Sequence, residues 1–301
     1  MVKKSYYIEN PATLSLALEQ LVIQQLPDSR VTRPLDDAGH IIIDNPQVTL
    51  TAPLLQACAQ NQVAIIVCDQ KHLPCGIWLP LEGHTMTGGR TRAQLESNKP
   101  LNKQLWQTTI KSKIENQSEV LKKWSRPFAT LDKLALSVRS ADTTNTEATA
   151  ASHYWRHWLG PKSSFRRDPD GEPPNHLLNF AYAVLRSMTA RYLIGAGLWP
   201  IYGMHHTNLY NIMPLADDVM EPYRPFADQL VLEMLEQDPD ILEDFSLQRK
   251  DRTTLLTLPY LDVEMNGTRR PLQVALQLTC ASLARCYEEK TSTHLLFPTL
   301  I

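Results

Sequence analysis

The chain has 301 residues, 43% hydrophobic and 21% charged, enough apolar content to bury a sizeable core and too much for a disordered or collagen-like chain. Thirty basic and thirty-two acidic side chains leave a formal net charge of -2, which as an average argues against a protein held to nucleic acid or to an anionic membrane. No stretch approaches the roughly 20 consecutive apolar residues of a membrane span, and Met1–Lys4 leads into Tyr, Glu and Asn instead of a signal-peptide core, so a soluble cytoplasmic protein is expected. The five cysteines form no CxxC pair and have no zinc-type spacing to histidine, which reads as reduced thiols in packing roles.

From Tyr6 to Leu81 short runs separated by turn residues predict strands: Leu14, Leu16 and Leu18 in alternation, then Leu21–Gln25, Val31–Arg33, Ile41–Ile43 and Val63–Cys68. Asp44-Asn45-Pro46 breaks the isoleucine run, and Thr51 is placed to cap a short helix over residues 52–60. The texture changes at Gly83–Arg92. Beyond it apolar residues recur at helical spacing through Leu95, Leu101, Leu105, Ile110, Ile114, Val120 and Leu121. The spacing predicts further helices from the Asn145 cap to Leu159, from Leu177 to Leu193, from about Tyr223 to Leu235 and from Leu272 to about Tyr287, with a hairpin at Asn266-Gly267. The expected organisation is α+β: a β-rich domain over residues 1–82, a linker over 83–92 and a helical domain over 93–301.

The ionisable groups concentrate in Gly203-Met204-His205-His206 and in Asp217, Asp218 and Glu221 shortly after. Asp218 and Glu221 are three apart, so one helical turn would aim both carboxylates at one point, with His206 folded back onto it. Mixed carboxylate and imidazole donors suit Mg²⁺ or Mn²⁺ better than zinc. The spacing is equally compatible with acids that favour a helix N-terminus beside surface histidines. Glu147, in the first turn of its helix, reads by position as a helix-dipole acid. His153 and His157 lack the intervening glutamate of a zinc-protease helix, and there is no phosphate-binding glycine loop and no Gly-x-Ser-x-Gly elbow.

The near-neutral total hides an uneven spread. Between Arg90 and Arg126 nine basic residues face three glutamates, with Trp106 and Trp124 interleaved, and Arg166-Arg167 forms a second basic spot. Either could meet DNA phosphates, although a solvated helix face is the plainer reading of the first.

These strings resemble a known family, CRISPR-associated protein one, the integrase of CRISPR adaptation, in the shorter form found beside type II effectors, II-C in particular. The carriers are Asp44-Asn45-Pro46-Gln47-Val48-Thr49-Leu50-Thr51, Ala64–Asp69, His72-Leu73-Pro74, Leu79–His84, Asn145-Thr146-Glu147-Ala148, Tyr154-Trp155, Leu178-Asn179, Gly203–His206 and Leu215–Asp228. The resemblance implies an N-terminal β-sandwich followed by a C-terminal all-α catalytic domain. It implies that Glu147, His206 and Glu221 hold Mg²⁺ or Mn²⁺, with Asp218 as a supporting acid. One departure is Ala141, where the family pattern leads us to expect the glycine of a Ser-Gly-Asp stretch.

The implied activity is metal-dependent strand transfer that joins the 3′-hydroxyls of captured double-stranded DNA to the CRISPR repeat. Arg166, Arg167, Lys99, Lys103, Lys111 and Lys113 are the expected phosphate contacts. The expected assembly has two homodimers, formed through the N-terminal domain, flanking a dimer of the small companion adaptation protein. Whether the effector nuclease joins is left open. Two competing readings are a structure-selective metallonuclease that uses water as nucleophile, and a DNA-binding scaffold without catalysis.

Overall fold

The computed structural model describes residues 2–25, 27, 29–81, 83–161, 163–206 and 208–301. The N-terminal part contains β1 (Lys4–Ile8), β2 (Ala12–Ala17), β3 (Gln20–Gln25), β4 (Ser29–Pro34), β5 (Ala38–Ile43), β6 (Val48–Leu50), α1 (Ala52–Gln60), β7 (Ala64–Cys68) and β8 (Pro74–Trp78). They form two four-stranded sheets, in the orders β1-β5-β7-β8 and β4-β3-β2-β6. In the first, β1, β5 and β7 run parallel and β8 closes antiparallel. Every residue of β5 is buried, as expected of a central strand covered on both faces. The two sheets and α1 share one core, with Leu14 and Leu21 from one sheet, Ile41, Ile43 and Ile65 from the other, and Leu54 and Cys58 from the helix.

Leu18 departs from the alternation read in the sequence. It and Glu19 form the β2–β3 turn at φ 47° and 60°, and Leu18 is 94% exposed. A two-residue hairpin turn with both central residues at positive φ matches the right-handed strand twist, so register overrides the leucine pattern here.

Helices dominate the rest: α2 (Thr87–Leu95), α3 (Lys99–Lys123), α4 (Ala129–Ser137), α5 (Thr146–Trp158), α6 (Asn175–Gly195), α7 (Pro214–Met220), α8 (Arg224–Gln237), α9 (Arg249–Leu255) and α10 (Leu272–Glu289). The periodic run read across Leu95–Leu121 is two helices. Asn98 interrupts it, its side-chain oxygen accepting from Leu101 N at 2.8 Å, with Pro100 in the first turn of α3. Leu101, Leu105, Ile110, Ile114, Val120 and Leu121 are all buried, whereas Leu95 is exposed. Helix α6 is buried along nearly its whole length, with α7, α8, α9 and α10 packed against it, while α4 and α5 pack on α3.

Two expectations need correction. The C-terminal part is not all-α: β9 (Asp262–Met265) and β10 (Thr268–Pro271) form a hairpin across Asn266-Gly267, and Thr299 bridges to Glu264 on its edge. Nor is the 83–92 stretch only a linker, because α2 begins inside it and is braced against the helical part. Gln94 donates to the carbonyls of Trp199 (3.0 Å) and Tyr202 (2.9 Å) and accepts from Trp199 N (3.0 Å), so α2 holds the loop that leads to the histidine pair.

Candidate metal centre

Glu147 lies in the first turn of α5. The sequence suggested Asn145 as the cap, but Asn145 is left-handed (φ 52°) and makes no side-chain capping bond. Asp142 caps instead, its two oxygens accepting from Thr146 N (2.8 Å) and Glu147 N (2.9 Å). The turn that brings Asp142 into place has Ala141 at φ 61°, the position where the family pattern led us to expect glycine.

His206 lies in the loop between α6 and α7. Asp218, fully buried on α7, accepts from the backbone N–H groups of Met204 (2.7 Å), His205 (2.9 Å) and His206 (3.2 Å) and also faces His206 Nδ1. The chain bends tightly here: a Cβ on Gly203 would stand 2.5 Å from the His206 carbonyl and 3.1 Å from the Asp218 carboxylate, so only glycine fits. His205 stacks on Trp106 of α3, centroids 4.1 Å apart and planes 3° from parallel, while His206 meets both rings edge-on. The Asp218 hydrogen bond holds His206 above the usual imidazole value against the opposing effect of burial. Nε2 of His206 has no hydrogen-bond partner among the described residues. A carboxylate that fixes one ring nitrogen leaves the other oriented to ligate, the usual arrangement behind a metal-binding histidine.

Glu221 does not share a target with Asp218, contrary to the spacing argument. Helix α7 ends at Met220 and Glu221 opens a tighter 3-10 turn to Tyr223, so its carboxylate faces α3 while Asp218 faces the histidine loop. Glu221 Oε1 lies 3.0 Å from Arg224 and Oε2 lies 2.6 Å from Lys113 Nζ. Burial pushes this carboxyl up, but Arg224 and Lys113 outweigh it and hold it below the ordinary value. The turn is fastened to α3 by Asn116, whose amide donates to Pro222 O (2.9 Å) and Pro298 O (3.0 Å) and accepts from Leu300 N (3.1 Å).

Lys113 was expected among the phosphate contacts. The structure places it inside the site instead, its side chain 11% exposed and its Nζ 2.6 Å from both Glu147 Oε1 and Glu221 Oε2. Burial lowers the lysine's proton affinity, yet Glu221 and Glu147 more than compensate and keep it an ammonium. Among the other predicted contacts, Lys99, Lys103, Lys111 and Arg166 are exposed. Arg167 is engaged internally, donating to Asn175 and Asn179 at 2.8 Å each and lying over the Tyr182 ring. The sequence reading missed Lys113, Asn116 and Trp106 as parts of the site. Their spacing of 7 and 3 residues along α3 puts them on one helix face, but nothing in that spacing says what the face meets.

Among the described residues, no three His, Cys, Asp or Glu side chains converge, as they stand, into a metal-ligating set. The residues nevertheless fit a hard divalent cation. Glu221 Oε2 is buried, its one close partner among the described residues being the Lys113 ammonium at 2.6 Å, and Glu147 faces the same ammonium from the other side. Two carboxylates around one cation position, with an oriented imidazole on the neighbouring loop, make a donor set suited to Mg²⁺ or Mn²⁺, the ions of metal-assisted phosphoryl transfer.

The family described as CRISPR associated protein Cas1 matches residues 6–258 of this chain. The chain is 42% identical over 239 residues to the CRISPR-associated endonuclease Cas1 of Neisseria meningitidis, covering 79% of this chain and 77% of that protein. It is 26% identical over 281 residues to a second such endonuclease, from Pyrobaculum aerophilum, covering 89% and 94%. The chain belongs to this family. Its fold is similar to a casposase bound to its integration product (TM-score 0.80, 19% identity, 97% of this chain and 92% of that one) and to a Cas1 protein of Thermotoga maritima (0.74, 16%, 95% and 97%). It also resembles part of a Cas6-RT-Cas1–Cas2 complex (0.77, 16%), matching 99% of this chain and 36% of that one.

Proposed function

We propose that this protein is the DNA integrase of CRISPR adaptation, a metal-dependent endonuclease and strand transferase of the II-C type. The observation that carries the reading is a single cation position shared by Glu147 and Glu221, which come from α5 and from the turn after α7 and are 74 residues apart in sequence, beside an imidazole oriented by Asp218. Glu147, His206 and Glu221 would hold Mg²⁺ or Mn²⁺, and Asp218 would set the ring orientation of His206. The ion supplies Lewis-acid stabilisation of the charge that develops on the phosphoryl oxygens.

In the reaction, a 3′-hydroxyl oxygen of the captured DNA forms a bond to phosphorus at the repeat end. The bond from that phosphorus to the repeat's own 3′ oxygen breaks, and the hydroxyl proton is balanced by the one the leaving oxygen takes up. One phosphodiester is exchanged for another, so no nucleotide triphosphate is consumed, in keeping with the lack of a phosphate-binding glycine loop. Exposed Arg166, Lys99, Lys103 and Lys111 would neutralise backbone phosphates. The β-rich part, residues 1–82, would form the homodimer, and the helical part from α2 onward would carry the catalytic site. Two such dimers around a dimer of the companion adaptation protein would place two active sites at a fixed separation.

The test is strand joining with the companion protein, a repeat-bearing plasmid and Mn²⁺ or Mg²⁺. Joined products support the reading. Shortened strands alone would favour the metallonuclease alternative, which the name of the Neisseria relative keeps in view.

A further inference from the structure

Lys113 is the feature that the proposed chemistry does not absorb. It extends from the middle of α3, a 25-residue helix, and its ammonium stands between the two carboxylates assigned to the metal. With N···O separations of 2.6 Å on both sides, the two oxygens are no more than about 5.2 Å apart. A magnesium ion takes oxygen ligands at about 2.0–2.1 Å, so ion and ammonium cannot share the gap. The ammonium is covalently tethered, which gives it a high effective concentration at the carboxylates. It also neutralises them in the absence of metal, so Glu147 and Glu221 do not repel each other and the site keeps its shape.

We propose that Lys113 is a built-in counter-ion that competes with the divalent cation for Glu147 and Glu221, so that metal loading requires its ammonium to withdraw. This rests on the metal reading above. It makes Lys113 a residue that sets metal affinity.

The test is calorimetric titration of the full chain with MnCl₂, comparing wild type with Lys113→Met, Lys113→Arg and Glu221→Gln. Removing the competitor should lower the Mn²⁺ dissociation constant about tenfold in Lys113→Met, because the competent fraction of the site rises, and Lys113→Arg should stay within about twofold of wild type. In EDTA, Lys113→Met should melt below wild type, and saturating Mn²⁺ should close that gap. Lys113→Gln serves the same comparison if the methionine variant does not fold. On the wild-type protein, acetic anhydride labelling of Lys113 read by mass spectrometry should be several-fold faster with Mn²⁺ than in EDTA. An unchanged or weaker Mn²⁺ affinity in Lys113→Met, or labelling indifferent to Mn²⁺, overturns the proposal. Identical Mn²⁺ binding by wild type and Glu221→Gln would instead overturn the metal assignment, and this inference with it.

Discussion

Asp218 holds His206 twice over, through the ring at Nδ1 and through the backbone N–H, while also accepting from the two preceding amides. One buried carboxylate therefore fixes both the loop path and the imidazole orientation. Asp218→Asn turns an amide donor toward this ring of donors and should cost about 2–4 kcal/mol of stability. It should also weaken Mn²⁺ binding about 10- to 100-fold, as loss of a ligand-orienting carboxylate does. Thermal melting and calorimetry measure the two effects, and unchanged Mn²⁺ affinity would remove the orienting role.

Glu221→Gln preserves side-chain volume between Lys113 and Arg224 but removes the charge. It and His206→Ala should each lower strand joining by about 10³-fold or more while the fold survives, since several kcal/mol of transition-state stabilisation depends on the bound ion. Half-site integration on a labelled repeat reads this out. Wild-type rates in either folded variant would defeat the ligand assignment.

Asp228 is buried on α8 and accepts from the hydroxyls of Tyr154 (3.0 Å) and Tyr182. Burial pushes its carboxyl up to about 7, against the two tyrosine hydrogen bonds. The folded state therefore binds the proton more tightly than the unfolded chain, whose carboxyl has the ordinary value of 3.8. Stability from this group is fully present below that value and is lost as pH rises through about 7. Asp228→Asn should show a smaller drop in melting temperature between pH 5 and pH 8 than wild type. An equal drop would assign the slope to other groups.

Ala141 adopts a left-handed backbone at φ 61°. An L side chain pays for that conformation, and glycine does not, although glycine adds entropy to the unfolded chain. Ala141→Gly should raise stability by about 0.5–1 kcal/mol. Denaturant melts decide this, and a destabilised variant would mean that the alanine methyl contributes packing that exceeds the strain.

Side chains that neutralise DNA phosphates should reveal themselves through salt. Replacing Arg166 or Lys103 by alanine should flatten the slope of log affinity against log salt by about one unit for each phosphate left without its basic partner, uniformly across DNA sequences. An unchanged slope would remove that residue from the DNA path.

The parts legible in the sequence were those written in local pattern. Helix α1 spans Ala52–Gln60 as read, although Thr51 makes no side-chain capping bond, and the Asn266-Gly267 hairpin followed from turn chemistry. The break between α2 and α3 lies at Asn98-Lys99-Pro100, where the Asn98 side chain caps α3; Leu95 and Leu101, six residues apart, fall on different helix faces, and Leu95 is exposed while Leu101 is buried. At the site, Glu147 entered through resemblance, since no spacing argument links it to residues some sixty positions away. Lys113 was misplaced because a lysine in a basic stretch reads as solvated. Its partners come from α5 and from the turn after α7, so only tertiary structure could give it a role.

Asn116 ties the 222 carbonyl and the 298–300 segment to the same point on α3. Residues 298–300 are thereby structural support for Glu221. A reporter fused next to this segment would pull on backbone latched one residue away from a proposed metal ligand. Activity lost on such a fusion would report a disturbed catalytic turn before it reported anything about partner binding.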